Sequence, residues 1–264
     1  MACPVPHTKR DFVWLAVGGA LGAAIYRVAT APKRRGANGA LKFEYFDLAG
    51  AGEKVRLALA MTGTPFDDAR VQFKDWPERK KSAKYGQLPI LTTSDGADGF
   101  TELYQSEAML RWAGTLGDGS LLGTTAEQAL LVNEVLGLGA DFHREWSPCL
   151  YISMAPEKYG HAKDCDKGAL TKQLRETWLA AGGGLERFVG YFEAHLDAAG
   201  GNAFLCGAQP TIADLDVWPR LSYFTKGIAD HVPKDSLDKF PKIKAYLQRM
   251  AAHPKIAAFY ASKN

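Results

Sequence analysis

Alternation of apolar and polar positions opens the body of the chain. Leu41, Phe43 and Tyr45 share one face at a period of two, with Lys42, Glu44 and Phe46 on the other, which predicts a strand ending near Tyr45. A small-residue turn, Ala49-Gly50-Ala51-Gly52, leads into a helix from Glu53 that carries Val55, Leu57, Leu59 and Met61 and closes at Gly63 and Pro65. Phe66 to Phe73 alternates again as a second strand. Asp75 then caps a helix with Pro77 in its first turn and Glu78 three residues on, ending at Tyr85-Gly86. Gln87 to Leu91 and Thr101 to Tyr104 read as two further short strands, separated by the turn Ser94-Asp95-Gly96. Ser106 caps the next helix, with Met109, Leu110, Trp112 and Ala113 on its buried side.

Past Thr124 the strand signals stop. Helical patterns run from Ala126 through Trp146, from Gly168 through Leu196 with a weak point at Gly182-Gly183-Gly184, from Thr211 with Asp214 at capping spacing, and from Phe240 to His253, where Pro254 stops the pattern. The expected architecture is α/β plus all-α: an α/β domain over 41–117 joined to an all-helical domain over 124–264, preceded by a leader over 1–40.

The leader changes the picture. Phe12 to Tyr26 is apolar without interruption and reaches Ala31 if Arg27 snorkels, long enough to span about 30 Å of hydrocarbon as a helix. Gly18 and Gly22 form a G-x-x-x-G face suited to another membrane helix. The expectation is a single uncleaved transmembrane anchor, with a removed leader or a packed helix as alternatives. Basic residues on its C-terminal flank place the body on the cytoplasmic or matrix side of an organellar membrane, a mitochondrial one favoured; leader removal leaves a cytoplasmic protein.

Charge and cysteines exclude some classes. Residues 1–40 hold six Lys and Arg against one Asp, so within the net +3 the body is slightly acidic and offers no nucleic-acid surface. Cys3, Cys149, Cys165 and Cys206 are far apart and the six histidines are scattered, so no metal site is expected and a reducing compartment fits. Tyr45 remains as candidate chemistry. It stands where a strand meets a helix, a common place for ligand-binding groups, although on this stretch alone a packing tyrosine with a satisfied hydroxyl is the favoured reading.

Six stretches in fixed order carry a resemblance: Y-F-D-x-A-G-x-G-E-x-x-R at 45–56, D-W-P-E at 75–78, G-Q-L-P-I-L at 86–91, Y-Q-S-E-A at 104–108, T-I-A-D-L at 211–215 and F-P-K-I-K-A-Y at 240–246. Over about 41–260 the chain resembles a cytosolic-type glutathione transferase, nearest in pattern to the sigma class with its prostaglandin-D-synthase members. The resemblance implies a thioredoxin-like domain followed by a helical domain, with glutathione as co-substrate. It implies that Tyr45 donates a hydrogen bond to the glutathione sulfur. Gln105 and Ser106 would hold the γ-glutamyl carboxylate, Leu88 before a cis Pro89 the cysteinyl backbone, and Trp76 and Lys80 the glycyl carboxylate, with Gln87 beside them. Asp141 would reach across a homodimer to the glutathione amino group. A hydrophobic electrophile or peroxide would lie in a cleft near Leu48, Ala49, Phe142 and Trp146, while Thr211 and Asp214 form a structural cap. Ala51 departs from the pattern, standing where sigma-class relatives carry arginine. That departure and the leader give the alternative function, a non-catalytic accessory subunit anchored in a membrane complex.

Overall fold

The computed structural model describes residues 40–94, 100–201 and 203–262. The anchor expected over 12–31, with Gly18 and Gly22, lies outside the described residues. Among those described, no helix is long and apolar enough to cross a membrane.

Four strands, β1 (Leu41–Phe46), β2 (Phe66–Val71), β3 (Ile90–Thr93) and β4 (Glu102–Tyr104), form one sheet in the order β2-β1-β3-β4. β1 runs parallel to β2 with Tyr45 opposite Arg70, antiparallel to β3 with Phe43 opposite Leu91, and β3 pairs antiparallel with β4. The crossover from β1 to β2 is α1 (Glu53–Thr62), ended by Gly63 at φ 68°. α1 packs against α3 (Ser106–Gly114), α7 (Ile212–Ser222) and α9 (Pro254–Ala261), so it is buried on nearly every side. Val55, Leu57 and Leu59 are completely covered, each contributing about 1.5–3 kcal/mol by leaving water.

The Glu44 side of β1 differs from the simple alternation. Glu44 is buried beneath α2 (Trp76–Ser82), where Arg79 donates to its carboxylate at 2.9 and 3.2 Å. This forked pair fastens α2 to the sheet. Asp75 stands at the start of α2 without a side-chain capping bond.

The helical half contains α4 (Ala126–Tyr151), α5 (Lys167–Leu179), α6 (Gly184–Ala198), α7 and α8 (Pro241–Ala252). The single pattern read over 168–196 is two helices, because the chain reverses at Gly182, which has φ 71°. Pro254 starts a further helix, α9, as its first residue: a proline that ends one helix supplies the fixed φ for the next. At the head of α7, Thr211 and Asp214 form a capping box. The fully buried Asp214 carboxylate accepts from Thr211 N–H at 2.8 Å and Leu205 N–H at 2.9 Å.

Phe142 and Trp146 sit inside this half, which corrects their expected place in a substrate cleft. Phe142 meets Trp178, Phe188, Phe192 and Phe224, while Trp146 meets Trp178, Tyr223 and Phe224. Both are nearly inaccessible. Their spacing of four puts them on one helical stripe, and that stripe faces the bundle.

Candidate active site

Tyr45 ends β1 with its ring beneath the 3-10 turn Gly50–Gly52. A side chain at Gly52 would come within 2.5 Å of the ring, and one at Gly50 would strike the hydroxyl, so the turn can lie this close only with glycine at both positions. Ala51 N–H donates to the Tyr45 hydroxyl at 3.0 Å. A phenol has one proton to give and accepts through its lone pairs, so this bond leaves the O–H free as a donor. Among the described residues no acceptor for that proton is present.

The ring is held from behind by Arg56. Its guanidinium lies 5.5 Å from the Tyr45 ring centroid and 5.4 Å from that of Phe43. Arg56 is fully buried and donates to Leu48 C=O at 2.8 Å, Phe46 C=O at 3.0 Å, Asp68 at 2.9 Å and Glu53 at 3.3 Å. One side chain thus ties together the end of β1, the turn, the head of α1 and β2. Burial pushes the Tyr45 hydroxyl above its ordinary range; the Ala51 N–H opposes this, Tyr151 adds to it and Arg56 opposes it. The group therefore remains protonated at neutral pH, suited to donating a hydrogen bond and not to acting as a base.

The other residues expected at the site group as follows. Gln105 is the cap residue of α3, with φ 70° and ψ 112°, and Ser106 is the first helical residue, so Ser106 is not the cap it was expected to be. A non-glycine residue at this φ is strained, and it stands beside the first N–H groups of α3, which have no partner within the helix, and the Ser106 hydroxyl. Gln105 reaches Gln87 at 3.4 Å. The Leu88–Pro89 peptide is cis. Trp76 stands at the head of α2, edge-on to Phe46 at 6.0 Å, and Lys80 lies exposed one turn later. Asp141 is on the outer side of α4, paired with Arg144 at 2.8 Å, and among the described residues it makes no hydrogen bond or ion pair with Gln105 or Ser106. Leu48 is partly exposed beside the turn.

Two aromatic residues that the sequence reading passed over stand at this end of the sheet, Phe73 against Phe46 and Tyr151 near Tyr45. Phe73 is 68% exposed and stacks on Phe46 at 4.5 Å. Tyr151, at the far end of α4, is close enough to act electrostatically on the Tyr45 hydroxyl. Asp141, Arg144, Pro148 and Tyr151, spaced three, four and three apart, lie along one side of α4, roughly half a turn from the Phe142 stripe. That spacing was the available signal, masked because the helix was taken to end before Pro148. Among the described residues no group of His, Cys, Asp or Glu could hold a metal ion.

Comparison with known proteins shows what the chain is similar to. Residues 141–263 match the profile described as glutathione S-transferase, C-terminal domain. The chain is similar to glutathione S-transferase P of Homo sapiens, at 33% identity over 83% of this chain and 90% of the relative, and to glutathione S-transferase 1 of Ascaris suum, at 28% over 84% and 96%. Among solved structures it resembles prostaglandin synthase D of Nilaparvata lugens, with TM-score 0.68, 25% identity, and coverage of 85% of this chain and 99% of that one.

Proposed function

Since the chain belongs to the glutathione S-transferase family, we propose that Tyr45 supplies the hydrogen bond that turns the thiol of its co-substrate, glutathione, into a nucleophile. The enzyme is a glutathione transferase; the role of each residue is our reading. The observation that carries it is the Tyr45 hydroxyl, which accepts from Ala51 N–H and keeps its own proton to donate. A free thiol has a pKa near 8.5, so only a few per cent is thiolate at pH 7. Lowering it by about two units takes about 2.7 kcal/mol, within the range of one hydrogen bond to a charged group, about 1.5–3 kcal/mol.

In this reading the tripeptide's γ-glutamyl carboxylate rests on the head of α3, against the Ser106 hydroxyl and the N–H groups that Gln105 exposes. Its cysteinyl part runs past Leu88 and Pro89, with Trp76, Lys80 and Gln87 at the glycyl end. Asp141, on the outer face of α4, is read as serving the site of a second copy of the chain. The acceptor lies against Phe46, Phe73, Tyr151 and Leu48, which replace Phe142 and Trp146 as its walls. The thiolate attacks the electrophilic carbon, forming the C–S bond as a leaving group departs with its electron pair or as a double bond accepts the addition.

Calorimetric titration of the full chain with glutathione tests the seat. Ser106→Ala is expected to weaken binding about 3- to 10-fold, the equivalent of one hydrogen bond. Unchanged affinity would move the carboxylate elsewhere. Phe73→Ala is expected to raise KM for an aromatic acceptor about 2- to 10-fold and leave KM for glutathione alone, since an aromatic contact is worth about 0.5–1.5 kcal/mol. Equal KM values for the acceptor in both proteins would remove Phe73 from the cleft.

A further inference from the structure

Behind the head of α3 lies a cluster of charges that the reading above does not use. Lys54, on α1, is buried and donates to Asp216 of α7 at 3.0 Å and to Glu107, the second residue of α3. Arg220 donates to the two Asp216 oxygens at 2.7 and 3.1 Å and stands 4.0 Å from Glu107; Arg111 is 3.5 Å from Glu107. α4 faces the cluster with Gly139, where a side chain would come within 2.6 Å of Asp216, and with His143. Burial, then Arg220 and Lys54, hold His143 down to about 4 against the pull of Asp216, so it is neutral at pH 7.

Stability alone gives little reason for a buried lysine here. Charged groups in such a place cost several kcal/mol to desolvate, and apolar residues of similar volume often serve as well or better. Glu107 provides the reason. Its carboxylate sits in the first turn of α3, at the same positive helix end that would receive the γ-glutamyl carboxylate, and two anions there compete. Lys54, with Arg111 and Arg220 also near, draws Glu107 back from the helix end and offsets part of its charge.

We propose that Lys54 is a positioning residue for glutathione: by partly neutralising Glu107 through the Lys54–Asp216 pair it keeps the head of α3 receptive to the tripeptide's carboxylate. The inference rests on glutathione being seated at Gln105 and Ser106.

The test measures KM for glutathione, kcat with an aryl halide acceptor, and thermal stability. Lys54→Met leaves Asp216 paired with Arg220, and it is expected to raise KM about 5- to 20-fold with kcat at saturating glutathione within twofold. Lys54→Arg should stay near wild type. Glu107→Gln placed in the Lys54→Met protein should bring KM back to within about threefold of wild type, since the competing charge is gone; a purely structural lysine gives no such rescue. A folded Lys54→Met protein with unchanged KM, or a double variant as poor as the single one, overturns the proposal. If Lys54→Met does not fold, Glu107→Gln alone decides: a lower KM supports the proposal, and an equal or higher one overturns it. Wild-type protein that binds no glutathione by calorimetry would strike the seating itself, before any variant is compared.

Discussion

Tyr45→Phe lowers turnover at pH 7 by about 10- to 30-fold and weakens glutathione affinity by no more than about fourfold, the share that linkage to the thiol shift demands. The size follows from titration: moving a thiol from about 6.5 to about 8.5 cuts its thiolate fraction at pH 7 from most of the population to a few per cent. The ring is retained, so packing under Gly50 and Gly52 is kept and the tripeptide's seat is untouched. The sign with pH is definite. Wild-type rate is expected to level off above about pH 7, whereas the variant continues to climb through about pH 8.5, and the two approach each other at alkaline pH. Because the Tyr45 hydroxyl itself titrates above its ordinary range, its own ionisation does not enter this window. Rate profiles from pH 6 to 9.5 with thiolate absorbance of the bound tripeptide decide it; parallel profiles would assign the activation to another group.

Arg56→Met is expected to destabilise the fold by about 3–5 kcal/mol, the usual cost of breaking a buried ion pair from one side. The variant leaves the carbonyls of Phe46 and Leu48 without the guanidinium that meets them at 3.0 and 2.8 Å. Neither methionine nor water can replace a planar group with five donors in this space. Urea unfolding with the slope unchanged would record the loss as a lower midpoint. Since the same side chain backs the Tyr45 ring, kcat should fall in whatever fraction remains folded. A midpoint within about 1 kcal/mol of wild type would show that the turn stands without Arg56.

What the sequence made legible was local. The alternation ending at Tyr45, the glycine turn after it, the X-Pro at 89 and the Thr211-to-Asp214 spacing each depend on neighbours a few residues away, and each has its counterpart in the structure. What escaped it depends on partners far along the chain. Lys54 and Arg56 look like the solvent side of a helix until Asp216 and Asp68, 162 and 12 residues on, arrive beside them. Phe142 and Trp146 were assigned to a cleft because aromatic residues suit one, but their spacing of four is equally a core stripe, and the bundle claims it. Ala51 keeps the backbone bond to the Tyr45 hydroxyl, which needs no particular side chain, while the arginine contact near the thiol that the resemblance led one to expect is absent from this sequence.

The enclosure of α1 sets how the molecule comes apart. Sheet on one flank and α3, α7 and α9 on others make this helix common property, with Lys54 and Arg56 each clasped by acids outside it. Melting of the helical half would strand Lys54, whose partner Asp216 lies there, and would free Glu53 from Tyr260, so heat should unfold both halves in a single step, and a protease cut between them should leave two fragments that stay together.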